Sequence, residues 1–248
     1  MNNVTLVTLN IWGGYLREKL LSYFKTNSHI DIFCLQEVYH SASEKISTCD
    51  MKLSLNIFND IDTILTEHNG YFCPVVGDYG LAIFIKKSFN VKNSENILIH
   101  ENNRYHGKGP THQRKMQCIT YAHGTQSMTI CNVHGLWNGN GKTDSIDRIK
   151  QSENIKHFLL NLQSPYIVCG DFNLEPSTKS LMLIKDGLED HIEMNNIIST
   201  RTHYYKKEIK YADYIFTSKQ VAVSYFKVMS DVVSDHSPLL LKFENEYL

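Results

Sequence analysis

The sequence predicts an α/β fold in which two β-sheets pack face to face and helices cover the outside. Three observations carry this expectation. Short β-branched and apolar runs outnumber segments of helical period, ten against four. Polar side chains stand where those runs end. No Pro/Gly/Ser linker divides the 248 residues, so the strands are expected in one domain over residues 1–248.

Residues 4–11 read as a strand closed by Asn10-Ile11-Trp12-Gly13-Gly14, where two glycines turn the chain. Leu16, Leu20 and Phe24 give residues 15–26 a helical period, and residues 30–35 form a buried strand ending at Gln36-Glu37. Residues 39–54 are a polar loop. Residues 55–66 are a helix with Ile57, Ile61, Ile64 and Leu65 on one face, and 71–76 and 81–85 are adjacent strands joined at Gly77-Asp78-Tyr79-Gly80. A basic, His- and Gly-rich loop spans 100–115. Strands 116–122 and 128–133 form a hairpin around His123-Gly124-Thr125, the second ending at His134. After a Gly/Asn-rich loop, Asp144 is placed to cap a helix reaching about Leu162, with Ile146, Ile149, Ile155, Phe158, Leu159 and Leu162 inward. The strand from Ile167 ends in Gly170-Asp171-Phe172-Asn173-Leu174-Glu175-Pro176. Ser177 is placed to cap a helix over 178–186 that Gly187 stops. Strands at 211–217, 222–229 and 239–243 complete the chain.

Composition narrows the function classes. With 42% hydrophobic and 21% charged residues the chain is an ordinary globular sequence. A net charge of −1 is not the strongly basic balance of a general nucleic-acid binder, which favours small phosphoesters or short single strands over long duplexes. The six cysteines, Cys34, Cys49, Cys73, Cys118, Cys131 and Cys169, form no CxxC pair. They read as free thiols in a reducing compartment. No signal peptide and no membrane-length apolar run is visible. A cytoplasmic protein is the expectation, with signal-less export as the alternative.

Asn10, Glu37, His134, Asp171 with Asn173, and Asp235 with His236 share one kind of position, the end of an apolar run. Asp213 lies inside such a run, where a carboxylate is costly unless paired. Each residue alone has a plain structural reading: a turn amide, a solvated end charge, a structural histidine, an Asx-turn, a polar turn before Pro238. Taken together they describe a set of oxygen and imidazole groups at the carboxyl ends of strands, where open α/β sheets carry chemistry.

Asn10 in its Leu-Asn-Ile-Trp strand end, Leu35-Gln36-Glu37, Gly170-Asp171-Phe172-Asn173 and Ser234-Asp235-His236-Ser237-Pro238-Leu239, in that order over nearly the whole chain, resemble the endonuclease/exonuclease/phosphatase superfamily. The resemblance implies a four-layer α/β sandwich, two packed mixed β-sheets flanked by helices, and metal-dependent phosphoester hydrolysis. It implies Glu37 as the principal Mg²⁺ ligand, Mn²⁺ being an alternative ion, with Asn10 and Asp235 completing or orienting that shell. Asp171 would align and deprotonate the attacking water and Asn173 hold a phosphate oxygen. His236 would contact the scissile phosphate, with Asp213 orienting its imidazole and His134 as a second histidine of the site. The chemistry suits these groups, because Mg²⁺ prefers oxygen ligands and a histidine held by an acid can stay cationic near neutral pH.

Substrate choice is expected from the loops. Their aromatics are Trp12, Tyr39, Tyr105, Trp137, Tyr204 and Tyr205. Their cations are Arg104, Lys108, Arg114, Lys115, Lys142, Arg148, Arg201, Lys206 and Lys207. Trp137, Lys142 and Arg114 are the substrate-binding candidates; Lys142 follows glycines that let backbone amides approach an anion. The expected activity is a monomeric phosphodiesterase on nucleic acid or a nucleotide-like ester. The alternatives are a phosphomonoesterase or lipid/inositol-phosphate phosphoesterase, and a non-catalytic binding module on the same fold.

Overall fold

In a computed structural model, residues 3–46, 52–107, 109–123 and 126–244 are described. Cys49, Lys108 and the Gly124-Thr125 turn lie outside them. The chain folds as the α/β sandwich expected, two six-stranded mixed sheets with helices outside. The first sheet runs, edge to edge, β11 (Val223–Val228), β12 (Leu239–Glu244), β1 (Asn3–Asn10), β2 (Ile32–Tyr39), β4 (Tyr79–Lys86) and β3 (His68–Val76). The second runs β5 (Val91–His100), β6 (Arg114–His123), β7 (Gln126–His134), β8 (Tyr166–Asp171), β10 (Asp213–Thr217) and β9 (Glu189–Asp190). Each sheet holds one parallel pair, β1 with β2 and β7 with β8; the other pairings are antiparallel.

Side-chain alternation separates the layers. Along β2, Ile32 and Cys34 enter the core shared with the second sheet. Phe33 and Leu35 instead pack with Leu20 and Phe24 of helix α1 (Arg17–Thr26) and Ile57 and Ile61 of α2 (Ile57–Ile64). Ile155 and Leu159 of α3 (Ile146–Leu160) and Leu181 and Ile184 of α4 (Lys179–Lys185) join the larger cluster. A buried polar bridge fixes one sheet against the other. Gln36 Nε2 donates to Asn132 Oδ1 at 2.7 Å and to Thr8 Oγ1 at 3.1 Å, while Asn132 Nδ2 donates to the carbonyls of Leu35 and Ala82 at 3.0 and 3.2 Å. The five described cysteines are all free and buried. Among the described residues no helix is long and apolar enough to cross a membrane.

The structure departs from the sequence reading at several points. Strand β5 was not legible, and a short helix α5 (His191–Met194) follows β9. Ser145, not Asp144, caps α3, its hydroxyl accepting from Arg148 N; Thr178, not Ser177, caps α4. Ile146, expected inward, is 86% exposed because it opens α3 on the solvent side. Asp144 instead reaches across to α4, where its carboxylate accepts from the backbone of Lys179 and Ser180 at 2.8 Å each and from Ser180 Oγ at 2.6 Å. Those amides otherwise lack partners at a helix start. Asp144→Ala should therefore cost about 1 kcal/mol of stability, measured by urea unfolding, although Asp144 is not the cap of its own helix.

Candidate active site

The carboxyl ends of the two parallel pairs face each other across the core. Asn10 stands at the end of β1; in β7 and β8, His134 and Asp171 are register partners. Glu37 is not the solvated end of β2. It occupies a register shift between Gln36 and Val38, with φ +59°, a left-handed conformation rare outside glycine. Trp12 and Asn173 share that conformation, at φ +53° and +55°. Backbone held in this region persists only where its surroundings enforce it, and here all three positions border one site.

Asn10 joins the two sheets. Its Nδ2 donates to Glu37 Oε1 and to Asp171 Oδ2, both at 3.0 Å, while its Oδ1 accepts from Trp12 N at 2.9 Å. Asp171 Oδ1 accepts from Asn173 N at 2.9 Å, the Asx-turn its spacing allowed; Asn173 Nδ2 lies 3.3 Å from the Gly135 carbonyl. His236 Nδ1 sits 2.7 Å from Asp213 Oδ1, and its Nε2 lies 3.5 Å from Asp171 Oδ2 and 3.8 Å from Asp235 Oδ1. Thr200 Oγ1 donates to Asp213 Oδ2 at 2.9 Å, which leaves the buried strand carboxylate fully engaged. Arg114 Nη1 stands 3.4 Å from His134 Nδ1, so that nitrogen accepts. His134 Nε2 then carries the proton toward Glu37 and Asp171, 3.9 Å from an oxygen of each.

The charges are set by these neighbours. Burial opposes a charge on His236 and Arg201 repels it, yet Asp213, Asp235 and Asp171 outweigh both and raise its pKa above 6.5. Burial works against the Asp171 anion, but His236, with Arg201 and Lys142 behind it, holds the carboxyl well below its usual range. Burial raises Glu37, and Asp235 and Asp171 raise it further against the hydrogen bond from Asn10. His134 is driven well below its ordinary value by burial and by Arg114, and is neutral at pH 7.

These shifts predict a pH signature. A histidine whose folded pKa is raised stabilises the fold fully below pH 6.5, and that contribution is lost as pH climbs through the raised value. Asp213→Asn removes the nearest upward pull on His236. The difference in Tm between wild type and Asp213→Asn, measured in chelator from pH 5 to 9, should be largest on the acid side and narrow as pH rises.

A pocket of about 360 Å³ opens over this site. Glu37, His134, Asp171, Asn173, Asp235 and His236 line it, with Asp213 standing behind His236. Tyr39, Ile46, Leu53, Tyr79 and Pro110 give it an apolar part. The three substrate-binding candidates, Arg114, Trp137 and Lys142, line it as well, with Arg201, Tyr205 and Lys207. Arg201 was one of nine loop cations in the sequence. The fold singles it out: an isolated bridge to His236 brings it in, and its Nη1 pairs with Asp235 Oδ2 at 2.8 Å. Arg148 takes the plain structural role, its guanidinium buried and bound to the carbonyls of Leu136, Gly141 and Thr143.

Metal-holding chemistry is present. Asp171, Asp213 and His236 each offer a ligand atom, all within 4.8 Å of one another. Asp213 is already taken up by His236 and Thr200. Glu37 accepts from the neutral amide of Asn10, but its pairing histidine is neutral as well, and the carboxylates beside it make its anion unfavourable. An under-neutralised carboxylate beside Asp171 and Asp235 fits a hard divalent cation, which takes oxygen ligands.

Two mixed sheets in an α/β sandwich bring acids, an amide and imidazoles together at strand ends. The endonuclease/exonuclease/phosphatase family model matches residues 7–236, and the chain belongs to that family. Solved structures share the fold over almost their whole length. The endonuclease/exonuclease/phosphatase from Bacteroides vulgatus is 18% identical, with a TM-score of 0.75, covering 99% of this chain and 100% of its own. The catalytic domain of human Nocturnin, solved with a bound sulfate anion, is 19% identical with a TM-score of 0.73, covering 99% and 95%. A Bacteroides thetaiotaomicron mannosyl-6-phosphatase is 16% identical with a TM-score of 0.72, covering 99% of each chain. No curated protein gives a significant sequence match.

Proposed function

We propose that the protein is a Mg²⁺- or Mn²⁺-dependent phosphodiesterase acting on nucleic acid or a nucleotide-like ester, and that it works as a single-domain monomer. The observation that carries this reading is the Asn10 amide holding Glu37 and Asp171, from opposite sheets, on one nitrogen. It joins residues 161 positions apart, as a shared catalytic site requires.

Glu37 would be the principal ligand of the cation, with Asp235 beside it and Asn10 orienting the carboxylates. When bound, the cation offsets the negative charge that builds on the phosphoryl oxygens. Asp171 accepts a hydrogen bond from the attacking water and aligns it in line with the leaving oxygen. His236, kept cationic by Asp213, meets a non-bridging phosphate oxygen. His134 presents Nε2–H to the same space, and the side-chain amide of Asn173 holds a further oxygen. Trp137, Lys142 and Arg114 receive the rest of the substrate. The buried free thiols support a reducing compartment, the cytoplasm.

The test is hydrolysis of bis(p-nitrophenyl) phosphate, single-stranded DNA, RNA, phosphomonoesters and inositol phosphates, with and without Mg²⁺. Diester cleavage lost in chelator and restored by Mg²⁺ is expected; cleavage of monoesters alone would move the reading to a phosphatase. Absence of turnover on all of them, with no metal bound, would leave a binding module. In parallel, Glu37→Gln should weaken Mg²⁺ binding, measured calorimetrically, by at least about tenfold, the lower end of what even outer-shell groups cost. Unchanged affinity would remove Glu37 from the metal shell.

A further inference from the structure

We propose that the pocket carries a second phosphate subsite, built by Lys142, Arg201 and Lys207 with Trp137 and Tyr205, which holds a phosphate group next to the scissile one. The proposal rests on the phosphodiesterase reading above and names the substrate class: esters bearing at least two phosphates.

The cations here are crowded and poorly matched by anions. Lys142 Nζ lies 4.9 Å from the Tyr205 ring centre, Arg201 Cζ 4.2 Å and Lys210 Nζ 5.4 Å, so three positive side chains share one ring. Lys207 Nζ lies 4.8 Å above the ring of Trp137. Cations favour such ring faces, but like charges this close repel. Among the described residues only Arg201 has a carboxylate partner in this group, Asp235. Lys142 is almost wholly buried and donates to the Tyr211 carbonyl, which does not neutralise it. Burial and Arg201 lower its pKa to about 8, so an ammonium there gains from an added anion.

A second observation points the same way. Arg201, with a side chain 4% exposed, has a buried Nε that meets no hydrogen-bond acceptor. An arginine donor in a pocket wall, short of an acceptor, suits a phosphate oxygen. Of the carboxylates near it, Asp235 pairs with Arg201 through Nη1, Asp171 accepts from Asn10, and Asp213 is engaged by His236 and Thr200. A phosphate would supply the acceptor that Arg201 Nε lacks, and the rings on which the cations rest hold them in place without cancelling their charge.

The experiment compares ligands that differ by one phosphate, by calorimetry in chelator. One arm sets thymidine 3′,5′-bisphosphate against thymidine 5′-monophosphate; the other sets inositol 1,4-bisphosphate against inositol 1-phosphate. At least a tenfold tighter Kd for the bisphosphate in either arm is expected, and the arm that shows it separates a nucleic-acid source from a cyclitol one. Lys207→Ala and Lys142→Met, checked for an unchanged fold by circular dichroism, should each bring that ratio toward one. Equal affinities in both arms, or a preference that survives both substitutions, would overturn the subsite. Turnover of bis(p-nitrophenyl) phosphate is measured alongside. Turnover without a bisphosphate preference removes the subsite alone, whereas no turnover removes the enzyme reading on which it stands.

Discussion

Replacing Asp171 by Asn should lower kcat by about 10²–10⁴ and leave the fold intact. The substitution keeps the shape, and the Asx-turn to Asn173 N needs only an oxygen acceptor. What is lost is the anion, and with it the Oδ2 acceptor that Asn10 Nδ2 meets. In the resting site Asp171 is held far below its ordinary pKa, so it is always ionised and a poor proton acceptor by itself. In the proposed mechanism its first task would be to fix the water, and its basicity would return when a bound phosphate takes up the charge of His236, 3.5 Å away. The loss should therefore fall on kcat rather than on KM, because the water is engaged only along the reaction path. Steady-state kinetics on a diester substrate would check it, and an Asp171→Asn enzyme with wild-type kcat would remove Asp171 from the chemistry.

The largest stability effect is expected one residue earlier. Gly170 has φ +136°, and a Cβ there would lie 2.0 Å from the carbonyl oxygen of Val133. Two costs combine in Gly170→Ala. The backbone region is close to glycine-only, at about 1–3 kcal/mol, and the paired strands β7 and β8 must move apart to relieve the clash. A total of about 4 kcal/mol is expected, a large part of the stability of an ordinary domain. Gly77 is the control. Its φ is +51° and nothing lies within 4 Å of the place a methyl would take, so Gly77→Ala should cost only about 1–2 kcal/mol. Urea denaturation of both variants compares them, and equal costs would show that close approach at Gly170 is unimportant. Since Asp171 follows directly, even folded Gly170→Ala protein should have lost most of its activity.

Much of this was legible because apolar strands are interrupted only for a reason. Asn10, His134 and Asp171 each stand where an apolar run stops, and the fold places them at the ends of β1, β7 and β8. Asp213, a carboxylate inside an apolar run, announced a partner, and the partner is His236. Other features left no local signal. Strand β5 is an exposed edge whose side chains do not alternate between apolar and polar, so period 2 is invisible there. The register shift at Glu37 depends on the pairing of β2 with β4, not on any residue type. Asp144 looked like the cap of the helix that follows it, and its reach to α4 is a matter of tertiary placement. Arg148 and Arg201 were equivalent loop cations in the sequence; three carbonyls claim the first and Asp235 the second.

The Gln36–Asn132 bridge and the Asn10 amide lie on the same seam between the sheets. Half of the constellation belongs to one side of that seam and half to the other. No isolated half could bring the acids and imidazoles together, so the proposed activity would report on assembly of the whole molecule. Denaturant that parts the halves should extinguish turnover at once.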